Sequence, residues 1–260
     1  MVANEKWFGG AGATAGFYSY QIENSVLFNE DASDSMTRTP SSAGNSRTWT
    51  WSCWIKRTVI THSGNHMVIW GADSGESSSY WQARFTNADN FVINGNGGTE
   101  VAYSQVHRDV GGWGHFMIAY DTTQSTASNR VKSYFNGTQI TDTSYNSIPS
   151  QNFDTTVNST TEHQIGILKY GGSSSDFASY LADFIIIDGT ALTPSSFLET
   201  KNGVVIPKDP SGLTFGTNGV WLRFKNASNL GQDYSGQSNN WTVTNMSADR
   251  QKIDVPTFGS

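Results

Sequence analysis

The fold of this chain is decided by two segments, Trp113-Gly-His-Phe-Met-Ile-Ala-Tyr-Asp121 and Val131-Lys-Ser-Tyr-Phe-Asn-Gly137. In the first segment His115, Met117 and Ala119 alternate with Phe116, Ile118 and Tyr120, as in a strand that presents two faces. The second segment runs into Asn-Gly, a dipeptide that accepts the positive φ angles of a tight hairpin turn. The centre of the chain is therefore predicted to be antiparallel β-structure.

Further short strands are predicted outward from this centre, separated by loops rich in Gly, Ser, Asn and Asp. They are Ser25–Phe28, Met36–Thr39, Trp49–Lys56, His66–Gly71, Tyr80–Thr86, Asn90–Asn94, Glu100–Ser104, Gly114–Asp121, Arg130–Asn136, Thr138–Asp142, His163–Tyr170, Tyr180–Asp188 and Val220–Phe224, with Trp241–Asn245 as a candidate last strand. Many short strands with such loops indicate an all-β sandwich or barrel.

The sequence predicts one short helix, which begins at Thr193-Pro194. Thr would be its N-cap and Pro its first helical residue. The helix is predicted to end near Lys201-Asn-Gly203. Beyond it, Val204–Pro207 and Pro210–Gly212 are predicted to be extended linker.

Composition excludes several classes of partner. The net charge is −6 and charged residues make up 15% of the chain, against roughly 25% in an average soluble domain. The sequence contains no run of Lys and Arg, so no nucleic-acid partner is predicted. It contains no apolar stretch approaching a membrane span and no apolar region near its start, so neither membrane insertion nor a signal peptide is predicted. The single Cys53 is predicted to be a packed, inert thiol, which suits folding in a cytoplasm.

Three segments together resemble the concanavalin A-like lectin and laminin-G superfamily. They are the hairpin carrying Trp113, His115, Tyr120-Asp121 and Asn136-Gly137, the strand Thr48–Lys56, and the strand Leu181–Asp188 followed by Ala191–Glu199. The resemblance covers residues 20–205 and implies an antiparallel β-sandwich of jelly-roll type. Residues 1–19 would then form an N-terminal arm, and residues 206–260 a C-terminal extension packed on the sandwich. Glycan binding is a common use of this fold, although a fold does not fix a function.

A narrower resemblance concerns Asn4–Gly10, Ser19–Ser25 and Ser235–Thr242. These segments are similar to laminin-G-type proteins of marine tailed bacteriophages and related viruses. The resemblance implies a protein made in the host cytoplasm and placed on a virion surface, as a capsid decoration, fibre or tail-associated protein. Its partners would be other virion proteins and host-surface glycans.

The sequence predicts no catalysis. Laminin-G-type glucanases pair carboxylates within one strand as Glu-x-Asp-x-x-Glu, and that pattern is absent here. The spacing of His62 and His66 would suit zinc on a helix, but the intervening glycine and the lack of a following Glu favour a loop. His115 is predicted to be a hydrogen-bonded structural histidine. Two alternatives remain open: a glycan hydrolase that pairs carboxylates distant in sequence, and a secreted cellular lectin or adhesin.

A sugar site needs an aromatic face together with amides and carboxylates. Two loops offer that mixture, and the candidate residues are Asp73, Glu76, Tyr80, Trp81, Asn94 and Asn96. In the alternative interpretation Tyr80 and Trp81 begin a strand and pack inward. No cofactor is predicted to be required.

Calcium is a candidate ligand, because many members of the superfamily bind it through carboxylate and carbonyl oxygens of loops. The candidate ligands are Asp31, Asp34, Asp121 and Asp183. Aspartates in turns more often cap their own backbone, and this alternative stays open.

The N-terminal arm carries Trp7, Phe8 and Phe17 among glycines. Exposed aromatic side chains of this kind would promote aggregation. They are therefore predicted to pack on a neighbouring subunit, in a homo-oligomer or on another virion component. The alternative is that the arm packs only on its own sandwich.

Overall fold

The computed structural model describes residues 16–29, 33–60, 66–75, 79–95, 98–167 and 177–257. In chain order the strands are β1 (Ser25–Phe28), β2 (Ser35–Arg38), β3 (Thr48–Arg57), β4 (Met67–Asp73), β5 (Tyr80–Phe85), β6 (Asn90–Gly95), β7 (Gly98–Val106), β8 (Gly114–Asp121), β9 (Val131–Phe135), β10 (Thr138–Gln139), β11 (Thr143–Asn146), β12 (Glu162–Ile165), β13 (Ser179–Asp188), β14 (Leu198–Lys201), β15 (Val204–Pro207), β16 (Val220–Leu222), β17 (Thr242–Thr244) and β18 (Gln251–Lys252). The helical segments of the described residues are three-residue 3₁₀ turns.

The strands form two antiparallel sheets and one separate hairpin. The first sheet has the order β10-β9-β8-β3-β13-β1-β18, and β16 pairs with the second half of β13. The second sheet has the order β11-β7-β6-β5-β4-β12-β2-β17. The hairpin joins β14 to β15. The predicted all-β antiparallel sandwich is therefore confirmed.

Alternation along the strands explains how the sheets pack. Every second residue of β3, from Trp49 to Ile55, is buried between the sheets. Trp49, Trp51, Ile118, Phe184 and Ile186 are buried there, and Phe135 packs partly buried against them. Cys53 shares this face, and burial raises the pKa of its thiol well above the usual value.

A second apolar cluster covers the outer face of the first sheet. Trp54, Met117 and Ile185 point outward from this sheet and contact Tyr20 and Trp221, among other buried side chains. Residues before β1 and residues after β13 thus both pack on the outer face of the first sheet. Residues 206–257 also supply strands to both sheets through β16, β17 and β18.

The predicted helix after Thr193 is wrong. Pro194–Ser196 form one 3₁₀ turn, and the chain then enters the hairpin of β14 and β15. Asn202 and Gly203 have φ angles of 52° and 81°, which are those of a tight hairpin turn. The segment predicted to be linker, Val204–Pro207, is therefore a strand. Its β-branched side chains favour that state.

Other strand boundaries differ by a few residues. β12 ends at Ile165 rather than at Tyr170, because Gly166 has a φ of 84° and leaves the strand. β10 ends at Gln139 rather than at Asp142. β11 and β18 were not expected from the sequence. Both lie at sheet edges and show little alternation: the side chains of β11 are mostly exposed, and the two polar side chains of β18 are half-buried.

Candidate functional site

The outer face of the second sheet carries an unusual number of polar side chains. Along β5, Trp81, Ala83 and Phe85 point into the core. Tyr80, Gln82 and Arg84 alternate with them and therefore point away from the core. We call this outer surface the polar face.

Strand register aligns amide side chains across the polar face. Gln164 of β12 pairs with Gly71 of β4, Gly71 pairs with Gln82 of β5, and Gln82 pairs with Asn94 of β6. We call Gln164, Gln82 and Asn94 the amide row. Gly71 contributes no side chain to it. Two strand spacings, about 9.6 Å, therefore separate the backbones that carry Gln164 and Gln82.

The centre of the polar face is buried, and some of its polar atoms have no partner. Asp73 and Asn94 are each 5% exposed. Asp73 Oδ2, Asn94 Oδ1 and Arg84 Nε form no hydrogen bond. Buried polar atoms are normally paired, and an unpaired one costs about 1–3 kcal/mol. An acceptor and donor set left open in this way is suited to a hydroxyl-bearing ligand.

Two carboxylates also meet on the polar face. Asp73 of β4 lies directly opposite Glu162 of β12 in the sheet register. The pKa of Asp73 is raised, chiefly by burial and secondarily by the charge of Glu162. Asp73 Oδ1 accepts a hydrogen bond from the Gly75 amide at 2.7 Å. Gln164 Nε2 donates to Glu162 Oε1, also at 2.7 Å.

The predicted sugar-site residues are only partly brought together. Asp73, Tyr80 and Asn94 lie on the polar face. Trp81 does not, since it is 1% exposed and packs in the core with its ring centroid 4.8 Å from that of Trp49. The prediction that Trp81 belongs to a ligand site is therefore wrong, because a core tryptophan cannot stack on a sugar. Glu76 and Asn96 lie outside the described residues.

Sequence reasoning missed four residues of this face. They are Gln82, Arg84, Glu162 and Gln164. For Gln82 and Arg84 the signal was present, because β5 alternates polar and apolar residues. For Glu162 and Gln164 it was absent, because only the long-range pairing of β12 with β4 brings them beside Asp73.

The described calcium candidates are dispersed and each is engaged by protein groups. Asp34 accepts hydrogen bonds from the Arg250 guanidinium and the Asn29 amide. Asp121 closes its own turn with Thr123 and Gln124. Among the described residues, no three or more His, Cys, Asp or Glu side chains are placed so that they could hold a metal ion. Asp31 lies outside them, and calcium binding stays a prediction.

Asp183, the remaining calcium candidate, lies in a bulge of β13 on the outer face of the first sheet. Its φ is 46°, and the pairing of β13 with β3 shifts register there. The carboxylate accepts hydrogen bonds from Tyr20 Oη and Trp221 Nε1, both at 2.9 Å. Burial raises the pKa of Asp183 to about 6. The aspartate thus anchors Tyr20 and Trp221 on the outer face of the first sheet.

His115 has the environment expected of a structural histidine. Its Nε2 lies 2.8 Å from Ser52 Oγ inside the fold. Burial lowers its pKa to about 3, so the ring is neutral near pH 7.

Phe17 is the one arm aromatic of the assembly prediction that lies within the described residues. It is half-buried and packs edge-on against Tyr18, and the Lys201 ammonium lies 5.6 Å from the centre of its ring. Trp7 and Phe8 lie outside the described residues. The predicted role of the arm in assembly therefore stays a prediction.

Residues 31–196 match the family model of the concanavalin A-like lectin/glucanases superfamily, a laminin-G-type model. The chain belongs to this superfamily. The matched range contains the polar face from β2 to β12 and ends before the hairpin of β14 and β15.

The solved structures that this chain resembles are distant from it in sequence. One is a proposed carbohydrate-binding protein from Bacteroides ovatus, with a TM-score of 0.58 and 14% identity over 91% of this chain and 62% of that protein. Others are the heptameric SAP-like pentraxin of Limulus polyphemus (TM-score 0.45, 16% identity, 67% of this chain and 80% of that one) and mouse laminin α1 domains LG4-5 (0.44, 11%, 70% and 46%). The chain thus spans about three fifths of the Bacteroides protein. No curated protein matches it.

Within the described part of this superfamily member, no helix has the length and hydropathy that a membrane crossing requires.

Proposed function

We propose that this chain is a non-enzymatic carbohydrate-binding protein whose ligand site is the polar face. The observation that carries the proposal is the amide row with Asp73 on the same face, because Asn94 Oδ1 and Asp73 Oδ2 are buried without hydrogen-bond partners. Membership of a superfamily that includes lectins supports it, as does the fold shared with the Bacteroides protein.

The chemistry of the polar face suits sugar hydroxyls. A hydroxyl can donate to the free oxygens of Asp73 and Asn94, and its own oxygen can accept from amide groups or from Arg84 Nε. Beside these groups, Tyr80 and Val68 form a small apolar cluster on the same face. A pyranose needs this combination, because its hydroxyl edge is polar and its C–H face is apolar.

A glycan array with the full chain tests the proposal. The affinity of the best ligand is then measured by titration for the parent and for Asn94→Ala. The matched control is Asn146→Ala, on the exposed edge strand β11 of the same sheet. Loss of a buried hydrogen-bonding group should weaken binding about fivefold or more, while the control should bind like the parent. Urea midpoints confirm that both variants fold. Equal affinity of Asn94→Ala and the parent would exclude this face.

The non-enzymatic part of the proposal needs its own test, because Asp73 and Glu162 are adjacent carboxylates. Paired carboxylates are the machinery of glycoside hydrolysis. Purified protein should release no reducing ends from the polysaccharides that it binds. Release that disappears in Asp73→Asn or Glu162→Gln would instead assign the face to a hydrolase.

The setting that we propose is a virion surface, where the protein attaches particles to host glycans or stabilises the shell or tail. The support is the resemblance of Asn4–Gly10, Ser19–Ser25 and Ser235–Thr242 to bacteriophage laminin-G-type proteins. Aromatic residues of the arm, Trp7, Phe8 and Phe17, would contact a second copy or another virion protein. Mass spectrometry of purified particles tests this setting: hundreds of copies indicate decoration, a handful indicates a fibre or tail part, and absence contradicts it.

A further inference from the structure

A cavity of about 270 Å³ opens between the ends of β3, β7, β8 and β9, away from the amide row. Its lining includes Arg57, Val106, His107, Arg108, Trp113 and Phe135. This volume lies near the lower end of small-molecule sites, which are about 300–1,000 Å³. The cavity therefore suits a ligand of monosaccharide size rather than an extended chain.

The polar side of the cavity is built on one buried carboxylate shared by two arginines. Arg57 Nη2 lies 2.9 Å from Asp89 Oδ1, and Arg108 Nε lies 2.8 Å from Asp89 Oδ2. Asp89 and Arg57 are fully buried, whereas Arg108 is half exposed. Two guanidinium groups on one carboxylate leave one positive charge on this triad. Asp109 also lines the cavity, but its Oδ1 is exposed and accepts from the amides of Gly111 and Gly112.

Two buried nitrogen atoms of the lining residues have no hydrogen-bond partner. They are Arg57 Nε and His107 Nε2, on residues that are 3% and 7% exposed. The Arg57 guanidinium lies over the ring of Phe85 at 4.5 Å, which holds it in place. Burial lowers the pKa of His107 to about 4, and the charge of Arg57 adds to this effect. The imidazole is therefore neutral near pH 7.

The other side of the cavity is apolar. Phe135 lies 4.7 Å from the His107 ring and Phe116 lies 4.9 Å from it, measured between ring centroids. At the mouth, Val106 is 46% exposed and Trp113 is half-buried. An aromatic and aliphatic wall facing a cationic corner is suited to a ring that has an apolar face and an acidic substituent.

We propose that this cavity is a second binding site, separate from the polar face, that takes an acidic monosaccharide of the hexuronic acid class. The carboxylate pairs with the Arg57 and Arg108 corner. The C–H face of the ring packs on Phe135, Val106 and Trp113. The inference goes beyond glycan binding at the amide row, since it assigns a different site and a charged ligand.

Titration of the full chain with glucuronate tests the proposal. The readout is the NMR shifts of the arginine Nε–Hε groups and of the tryptophan indole N–H groups. Glucose is the neutral control, and sodium chloride at equal concentration is the ionic control. We expect saturable shifts at Arg57 Nε–Hε and at the Trp113 indole with glucuronate alone. Arg108→Gln should weaken the binding at least about tenfold, because it removes a charge-assisted hydrogen bond. Its control is Arg47→Gln, which removes an exposed arginine paired with Asp154 instead.

A second variant keeps the test decisive should Arg108→Gln affect the fold. Val106→Glu places a carboxylate at the mouth of the cavity and should abolish glucuronate binding. Val204→Glu, at a similarly exposed valine on β15, should not. Absence of saturable shifts, equal shifts with glucose, or an unchanged affinity in Arg108→Gln would overturn the proposal. Shifts confined to the side-chain amides of Gln82 and Asn94 would overturn it as well, while supporting the polar face as the glycan site.

Discussion

Trp49 lies flat on Tyr120, with ring centroids 4.6 Å apart and planes 6° from parallel. The two residues are direct partners in the register of β3 and β8. Trp81 of the opposite sheet meets the Trp49 ring edge-on at 4.8 Å. Tyr120 Oη in turn lies 3.2 Å from Glu100 Oε2. One aromatic stack thus joins the two sheets and carries a buried carboxyl group at its end.

Trp51→Ala should destabilise the protein by about 3–5 kcal/mol, as large-to-small changes of fully buried aromatic residues do. Trp51 is completely buried and packs against Trp70, Phe91 and Phe184. Urea unfolding at equilibrium measures the change. Tyr145→Ala, at an aromatic residue that is 52% exposed, is the control and should lie within about 0.5 kcal/mol of the parent. A loss below about 1 kcal/mol for Trp51→Ala would contradict the sandwich core described here.

Local patterns predicted the sandwich because each of its central strands carries its own signal. The alternation of β3 and β8 and the Asn136-Gly137 turn, with φ angles of 47° and 80°, are all short-range features. The prediction of a helix after Thr193 was wrong because a competing short-range signal lies in the same segment. Asn202-Gly203 is itself a hairpin dipeptide, and it outweighed a Pro at a potential first helical position.

The candidate site was only half predictable, for a different reason. Asp73, Tyr80 and Asn94 were identified by residue type in neighbouring loops and strands. Gln164 and Glu162 join them through a pairing of β12 with β4 that spans about ninety residues of sequence. Such a register is set by tertiary packing and leaves no local trace. Trp81 was misplaced for a simpler reason: residue type cannot tell which face of a strand a side chain occupies.

Gly203→Ala should destabilise the protein by about 1 kcal/mol or more, because the native φ of 81° disfavours any residue with a Cβ. Gly212→Ala is the matched control. A Cβ would meet no atom within 4 Å at either glycine, but Gly212 does not have a positive φ. The control should be neutral or slightly stabilising. Equal effects of the two changes in urea unfolding would contradict the hairpin turn at Asn202-Gly203.

His163 should remain neutral, with its proton on Nδ1, down to about pH 4. Its Nδ1 lies 2.8 Å from the Thr161 carbonyl oxygen, and its Nε2 accepts from the Asn158 amide at 2.9 Å. A second proton on Nε2 would oppose the Asn158 N–H, and burial already lowers the pKa of the ring to about 4. Long-range ¹H–¹⁵N correlation spectra report both the tautomer and the titration. Protein unfolded in urea is the control and should titrate near pH 6.5. A midpoint near 6.5 in the folded protein would show that this ring is not enclosed.

Glu100, at the end of the aromatic stack, should make a contribution to the free energy of unfolding that depends on pH. Burial raises the pKa of Glu100 from 4.5 to about 7. Between these two values the unfolded chain loses its proton while the folded chain keeps it. Glu100 therefore lowers the free energy of unfolding as pH rises through this window, and its contribution is constant outside it. The buried histidines His107, His115 and His163 act in the opposite direction below pH 6.5, since their pKa values are lowered.

Comparison with Glu100→Gln separates the pH-dependent contribution of Glu100 from that of the histidines, because the parent and the variant share the histidines. Gln can still accept the hydrogen bond from Tyr120 Oη but carries no titrating group. The free energy of unfolding of the variant minus that of the parent should rise between about pH 4.5 and pH 7, by no more than about 1.4 kcal/mol per pH unit. Urea unfolding across this range measures the difference. A difference that stays flat, or that falls as pH rises, would mean that Glu100 is ionised within the fold and that Tyr120 holds it as a carboxylate.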